Sequence, residues 1–262
     1  LPAPLKKAAE LTWPLRAASR LANAGDGEPL RDTLAIELGN VIQAQYQRDL
    51  SRDAASVLRG SIAVLDSLPP QPDRGVHALL NVPAIDVEAW QAVVDRLQGA
   101  APNLAKALDL GYLPRTVALR AQVFTAGGRK LTRLVAGFSQ NVTDAAWRGN
   151  VDADQLGGYV EYHAPSGPAN PGRVHARLAR LALPPADAES VEELLVKAPA
   201  SVPALDIVIE DFELRGKKLG RVEVTAANRP AEGGGREWHM SRLAVSNADA
   251  QLTGTGQWQP GA

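Results

Sequence analysis

One passage of this chain occurs twice, and that repetition constrains the fold more than any other feature. Residues 128–138 read Gly-Arg-Lys-Leu-Thr-Arg-Leu-Val-Ala-Gly-Phe, and residues 216–226 read Gly-Lys-Lys-Leu-Gly-Arg-Val-Glu-Val-Thr-Ala. Downstream, Trp147 answers to Trp238 and Gly157 to Gly254, with the drift in spacing falling where loops must lie, including Gly233-Gly234-Gly235. Each copy reads as strand, glycine-containing turn, strand, loop, Trp-bearing strand and return strand. Units of this kind stack to bury a surface that one copy cannot bury alone. A repetitive β scaffold is therefore expected before any chemistry is considered.

Alternation supports it. Over residues 33–46, Leu34, Ile36, Leu38, Ile42, Ala44 and Tyr46 fall on one face and Thr33, Glu37, Gln43 and Gln45 on the other, with one polar slip at Asn40. Read as a single strand, these residues would span roughly 45 Å, far beyond the usual length. Val117, Leu119, Ala121 and Val123 face away from Thr116, Arg120 and Gln122. Leu205, Ile207 and Ile209 oppose Asp206, Val208 and Glu210, and Val222, Val224 and Ala226 oppose Arg221, Glu223 and Thr225. One apolar and one wet face is the mark of an antiparallel sheet covered on one side only. Further strands are expected at 54–65, 75–83, 143–152, 156–163, 172–183, 236–246 and 249–259. The segment 172–183 loses its parity, which points to a bulge.

Two segments read as helices. Asp86 can cap Val87–Gln98, whose Trp90, Val93, Val94 and Leu97 form one stripe. Ser190-Val191-Glu192-Glu193 is a capping box ahead of Leu194 and Leu195. Pro4–Leu11 reads either as a short helix or as an irregular entry. Pro199–Pro203 reads as the link between the two copies.

The chemistry is thin. Lys plus Arg number 28 and Asp plus Glu 29, so nothing resembles the basic footprint of a nucleic-acid binder. There is no cysteine, which excludes disulfides, thiolate metal sites and thiol nucleophiles. No run reaches the ~18 apolar residues of a membrane span. The absence of an initiator Met and of a signal peptide leads us to expect a piece of a longer protein. His77, His163, His175 and His239 stand singly, without zinc-ligand spacing. Ser166 sits in a Pro-Ser-Gly-Pro turn rather than a nucleophile elbow. Glu210-Asp211 and Asp152-Asp154 are the candidate carboxylate pairs, and Glu210 and Asp211 point to opposite faces. Arg129-Lys130 and Lys217-Lys218 recur at turns and read as solvated hairpin tips, or as basic contacts for anionic headgroups or acidic loops. Trp147 and Trp238 read as core or edge clamps. No cofactor is expected.

At this point a family resemblance enters. Pro203-Ala204-Leu205-Asp206-Ile207-Val208-Ile209-Glu210-Asp211-Phe212, then Gly216, Leu219-Gly220-Arg221-Val222-Glu223-Val224, Trp238, Leu243 and Gly254-Thr255-Gly256-Gln257-Trp258 are similar to the repeat of YhdP proteins, a branch of the AsmA-like superfamily. Leu1-Pro2-Ala3-Pro4-Leu5-Lys6-Lys7 and Ile85-Asp86-Val87-Glu88-Ala89-Trp90 resemble that family too, so the similarity covers essentially the whole chain. The resemblance implies a far longer Gram-negative envelope protein, anchored in the inner membrane by an N-terminal helix and reaching across the periplasm. It implies a repeating β groove that passively conducts phospholipids between the inner and outer membranes, supporting the outer-membrane permeability barrier. It brings no catalytic residues.

The expectation is a mainly β chain, an elongated antiparallel sheet curled into an open groove with one or two short helices and no enzymatic activity. Its segments would be 1–114 with a helix near 86–98, a repeat copy at 115–198 ending in a short helix near 190–197, and a second copy at 199–262. Phospholipid acyl chains would lie on Leu34, Ile36, Leu38, Ile42, Tyr46, Val117, Leu119, Val123, Leu134, Phe138, Leu205, Ile207, Ile209, Val222 and Val224. Other envelope proteins would meet the ends of the full-length groove. The alternative is a structural or adhesive β-sandwich with a closed, dry core.

Overall fold

A computed structural model describes residues 2–8, 10–22, 25, 29–51, 54–100, 110–167, 170–184, 203–230 and 236–258. The helix expected at 190–197, most of the Pro199–Pro203 link and the Gly233–Gly235 turn lie outside these residues. The chain is mainly β, and the described residues form fourteen strands and one helix. The strands are β1 (Leu15–Leu21), β2 (Arg31–Leu38), β3 (Ile42–Asp49), β4 (Ser56–Val64), β5 (Gly75–Asp86), β6 (Thr116–Ala126) and β7 (Arg129–Gln140), followed by β8 (Trp147–Asp152), β9 (Leu156–His163), β10 (Arg173–Leu183), β11 (Ala204–Leu214), β12 (Lys217–Pro230), β13 (Arg236–Ser246) and β14 (Gln251–Trp258). They form one sheet in chain order that does not close into a barrel, and not the two sheets of a sandwich. Two compact units divide the chain, Leu1–Gly137 and Phe138–Ala262.

The sheet is mixed rather than purely antiparallel. β4 and β5, β5 and β6, and β10 and β11 run parallel. A parallel neighbour demands a connection that travels back along the strand. Between β5 and β6 that connection includes α1 (Val87–Ala100). Asp86 Oδ1 accepts from the Ala89 amide at 2.8 Å, the expected N-cap. On the expected stripe, Trp90 anchors the helix by donating from Nε1 to the Ala3 carbonyl at 2.7 Å. The described residues of Pro4–Leu11 form no helix; they are the irregular entry, the other of the two readings.

The long strand expected over 33–46 is instead a hairpin, β2 turning into β3 through residues 39–41, with Gly39 at φ 53°. Leu38 pairs Ile42, Ile36 pairs Ala44, and Leu34 pairs Tyr46. Both strands thus keep the same residues on one face, so alternation alone could not reveal the turn. Asn40, the polar slip, marked it.

The two repeat copies fold alike. β6–β7–β8–β9 and β11–β12–β13–β14 each give a hairpin, a strand bearing Trp147 or Trp238, and a return strand. Each hairpin closes on two successive residues of positive φ, Gly127-Gly128 (59° and 72°) and Arg215-Gly216 (53° and 76°). That is the type I′ geometry, whose twist matches the flanking strands, and it explains the repeated glycine at 128 and 216. The parity slip in 172–183 is a register shift between Leu178 and Arg180. β1 carries no β-branched or aromatic residue; its full pairing with β2, Leu15 to Leu38 through Leu21 to Asp32, decides its state.

Candidate functional site

Register places the apolar residues of each unit on one face. In the first unit, Leu15 and Ala17 of β1 lie beside Leu38 and Ile36 of β2, which lie beside Ile42 and Ala44 of β3. The row continues through Ile62 and Val64 of β4 and Ala78 and Leu80 of β5 to Val117 and Leu119 of β6. Leu34, Tyr46 and Val123 belong to the same side. Leu134, which is buried, and Phe138 occupy alternate positions of β7. In the second unit, Val160, Ala176, Ile207, Val224 and Leu243 form one row across β9 to β13, and Leu178, Ile209, Val222 and Val245 form the next. Leu205 continues that side beside Ala226.

These faces are clustered but not sealed. Ala176, Leu178, Ile209 and Val222 make a buried cluster flanked by half-buried Val160, Leu181, Ile207, Phe212, Val224 and Val245. Ala44, Tyr46 and Val76 make another, flanked by Leu34, Ile36, Val57, Ile62 and Tyr112. No second sheet faces either cluster among the described residues. Buried and half-buried side chains together make an apolar wall on this face. At the edges the wall opens to water: Leu15 is 69% and Leu252 58% exposed.

The opposite face is polar, and all four histidines lie on it. In the second unit it is a ladder of cross-strand ion pairs. Arg148 of β8 reaches Glu161 of β9 at 2.9 Å, and Arg177 of β10 reaches Asp206 of β11 at 2.9 Å. His163 meets Glu161 at 2.7 Å and His175 meets Asp206 at 3.1 Å. Hydrogen bonds from Arg148 and then His163 hold the Glu161 carboxyl down to about 2. Burial pushes Asp206 up, but the bonds from Arg177 and His175 outweigh it and keep its carboxyl below the ordinary range. Of the carboxylates singled out from sequence, two join this ladder: Asp152 pairs Arg180 at 2.6 Å and Glu210 pairs Arg221. Their charge is used in tying strands together. In the first unit the polar side carries Gln43, Gln45 and Gln47 with Glu37 and Arg59 in register beside them, and buried Ser61 meets His77 Nε2 at 3.2 Å.

A charge pair on the apolar side of the first unit was not anticipated. Asp32, 1% exposed, lies at the end of β2 in register with Arg48 of β3. Arg48 grips both carboxylate oxygens, through Nε at 2.9 Å and through Nη2, while Ser19 Oγ donates to the same carboxylate. The Arg48 bond, supported by Ser19, holds Asp32 below the usual carboxylate range, and the arginine is raised in turn. Arg48 Nη1 also donates to the Tyr112 hydroxyl at 3.1 Å. Tyr46, expected to line the groove, lies under Tyr112: their ring centroids are 5.2 Å apart at 69°, and Tyr46 is 6% exposed. Burial, reinforced by Tyr112, pushes the Tyr46 phenol up. The signal was present in the parity, since positions 32 and 48 continue the even, apolar side of β2 and β3.

No helix among the described residues is long and apolar enough to cross a membrane. No group of three or more His, Cys, Asp or Glu among them could hold a metal ion. No curated protein and no solved structure matches the chain. The family model described as YhdP protein matches residues 1–262. A match over every residue shows the family, with the AsmA-like superfamily as its broader context: the chain belongs to the YhdP family.

Proposed function

We propose that this chain is a segment of a periplasm-spanning, inner-membrane-anchored protein that conducts phospholipids between the inner and outer membranes. The observation that carries the reading is the sorting of side chains across the sheet. In each unit one side is apolar strand after strand, and charge is gathered on the other, apart from the enclosed Asp32–Arg48 pair. Acyl chains would lie against Ile36, Ile42, Leu119, Ile207 and Val224, with headgroups left in water. The driving force is removal of apolar surface from water, about 25 cal/mol per Å². Such transfer needs no bond made or broken, so catalysis has no place in it. Membership of the YhdP family supports the same reading.

A photo-crosslinking residue at Ile207, on the apolar side, and one at Thr225, exposed on the polar side, tests it in cells. Lipid adducts are expected at the first position and not at the second. Equal yields at both would overturn the proposal. Ile207→Asp is expected to stop lipid passage while leaving the chain folded, because Ile207 is only half-buried. A closed core would behave oppositely: an unpaired buried charge costs several kcal/mol and would unfold it.

A further inference from the structure

The apolar side of the first unit is crossed by a piece of its own chain. Residues 110–112 lie between α1 and β6. The Leu110 carbonyl accepts from the Val57 amide at 2.9 Å, and the Tyr112 carbonyl accepts from the Tyr46 hydroxyl at 3.4 Å. The Tyr112 ring stands edge-on to Tyr46, and its hydroxyl takes the Arg48 Nη1 bond. Gly111 has a φ of +84°, which favours glycine, and a Cβ there would make only ordinary contact with Val57, 3.4 Å from its carbonyl oxygen. The hosts Tyr46, Arg48 and Val57 are all on the apolar side. What the crossing covers is the cluster of Ala44, Tyr46 and Val76.

We infer that Leu110–Tyr112 is a releasable strap, which covers this end of the lining when no acyl chain is present and gives way to one. The inference rests on the lipid-conducting reading above and adds regulation to it. Its physical basis is the way the strap is held. Beyond the packing of the Tyr112 ring on Tyr46 and its cluster, its ties are single hydrogen bonds between neutral groups or from Arg48 to a hydroxyl. When Tyr112 leaves, Arg48 keeps its grip on Asp32, so opening leaves no buried charge unpaired. The tyrosine hydroxyl passes to water, and an acyl chain can replace the ring over Tyr46 and Ala44.

The chain has no cysteine, so Ala44→Cys supplies a single reporter thiol under the strap. Its labelling rate with a maleimide is measured in the otherwise unchanged chain, in Tyr112→Ala and in Tyr112→Phe. Circular dichroism melting checks the fold, and vesicles of phosphatidylethanolamine and phosphatidylglycerol are added or withheld. Labelling is expected to rise roughly tenfold in Tyr112→Ala and by a smaller factor in Tyr112→Phe, with the melting midpoint nearly unchanged in the latter. Vesicles should alter the rate in the unchanged chain. Rates equal in Tyr112→Phe and its parent, or rates that rise only as far as the melting midpoint falls, would make the segment fixed core and overturn the strap. The photo-crosslinker at Ile207 separates the two ideas. Adducts there with unchanged labelling sink the strap alone. Absence of adducts there sinks the lipid reading, while the labelling still decides whether the segment opens.

Discussion

Both units carry charge on the polar side of the same kind of sheet, but the first also sets an ion pair on its apolar side. In the first, the polar side carries Glu37 and Arg59 beside Gln43 and Gln47, and the strong ion pair, Asp32 with Arg48, stands on the apolar side. In the second, the apolar side from Val160 to Val245 is free of charge, and the polar side carries the ladder from Arg148 to Arg242. Alternation fixes only that side chains point both ways; it does not say what each side is for. A buried pair holds geometry and is costly to break singly, whereas an exposed ladder is screened by water and salt. The first unit is therefore the one in which a single polar substitution should matter most.

The largest effect is expected from Asp32→Ala. Removing the carboxylate leaves Arg48, itself only 18% exposed, without its partner, and about 3 kcal/mol of stability should be lost in urea unfolding. The paired replacement Asp32→Leu with Arg48→Met should recover to within about 1 kcal/mol of the parent, because the desolvation cost disappears with the charges. The corresponding removal in the second unit, Arg221→Met, should produce no resolvable change. If Arg221→Met cost as much as Asp32→Ala, the contrast between the units would fail.

A smaller effect separates two glycines. Gly60 of β4 lies under the Tyr46 ring: a Cβ there would sit 2.5 Å from Tyr46 Cδ1 and 2.9 Å from the Gln45 carbonyl oxygen. Gly60→Ala must displace that ring and should cost roughly 1–3 kcal/mol. It should also loosen the seat of Tyr112. Gly254 of β14 has nothing within 4 Å of its would-be Cβ. Gly254→Ala should be neutral or stabilise by about 0.5 kcal/mol, by reducing the freedom of the unfolded chain. Thermal melts of the two variants side by side decide it.

Much of this was legible from residues alone, and the gaps have physical causes. Strand positions and faces followed from parity, which burial of alternate residues imposes: Leu205, Ile207 and Ile209 share a side with Val222 and Val224 as the alternation required. Parity is blind to a turn that returns the chain in step, so β2 and β3 read as one strand. Strand direction is not written in a strand's own residues. The helical stripe from Trp90 to Val94, lying between β5 and β6, was the signal for a parallel crossover. A further repeat also passed unnoticed: Val76-His77-Ala78 opens β5 as Val174-His175-Ala176 opens β10, each ahead of a parallel partner. Tyr112 was beyond reach, because its contacts to Tyr46 and Arg48 join residues more than sixty positions apart.

The smallest expected effect sharpens the contrast by titration. Glu161 is depressed from 4.5 to about 2 by Arg148 and His163. A carboxyl depressed on folding contributes stability that is fully present above its unfolded value, and that contribution fades as pH falls through the folded one. The second unit should therefore weaken between pH 4.5 and about 2, and Glu161→Gln should flatten that limb of the acid-unfolding curve. Asp32, held below its ordinary value by Arg48, gives the first unit an acid limb of the same sign. Added salt should tell the two apart. The half-exposed ladder is screened, so the limb set by Glu161 should shrink, whereas the enclosed Asp32–Arg48 pair should keep its dependence. Histidine and tyrosine NMR signals, from His163 in one unit and Tyr46 in the other, would follow each limb separately. Equal salt sensitivity at both would mean that the first unit's pair is as open to water as the second unit's ladder.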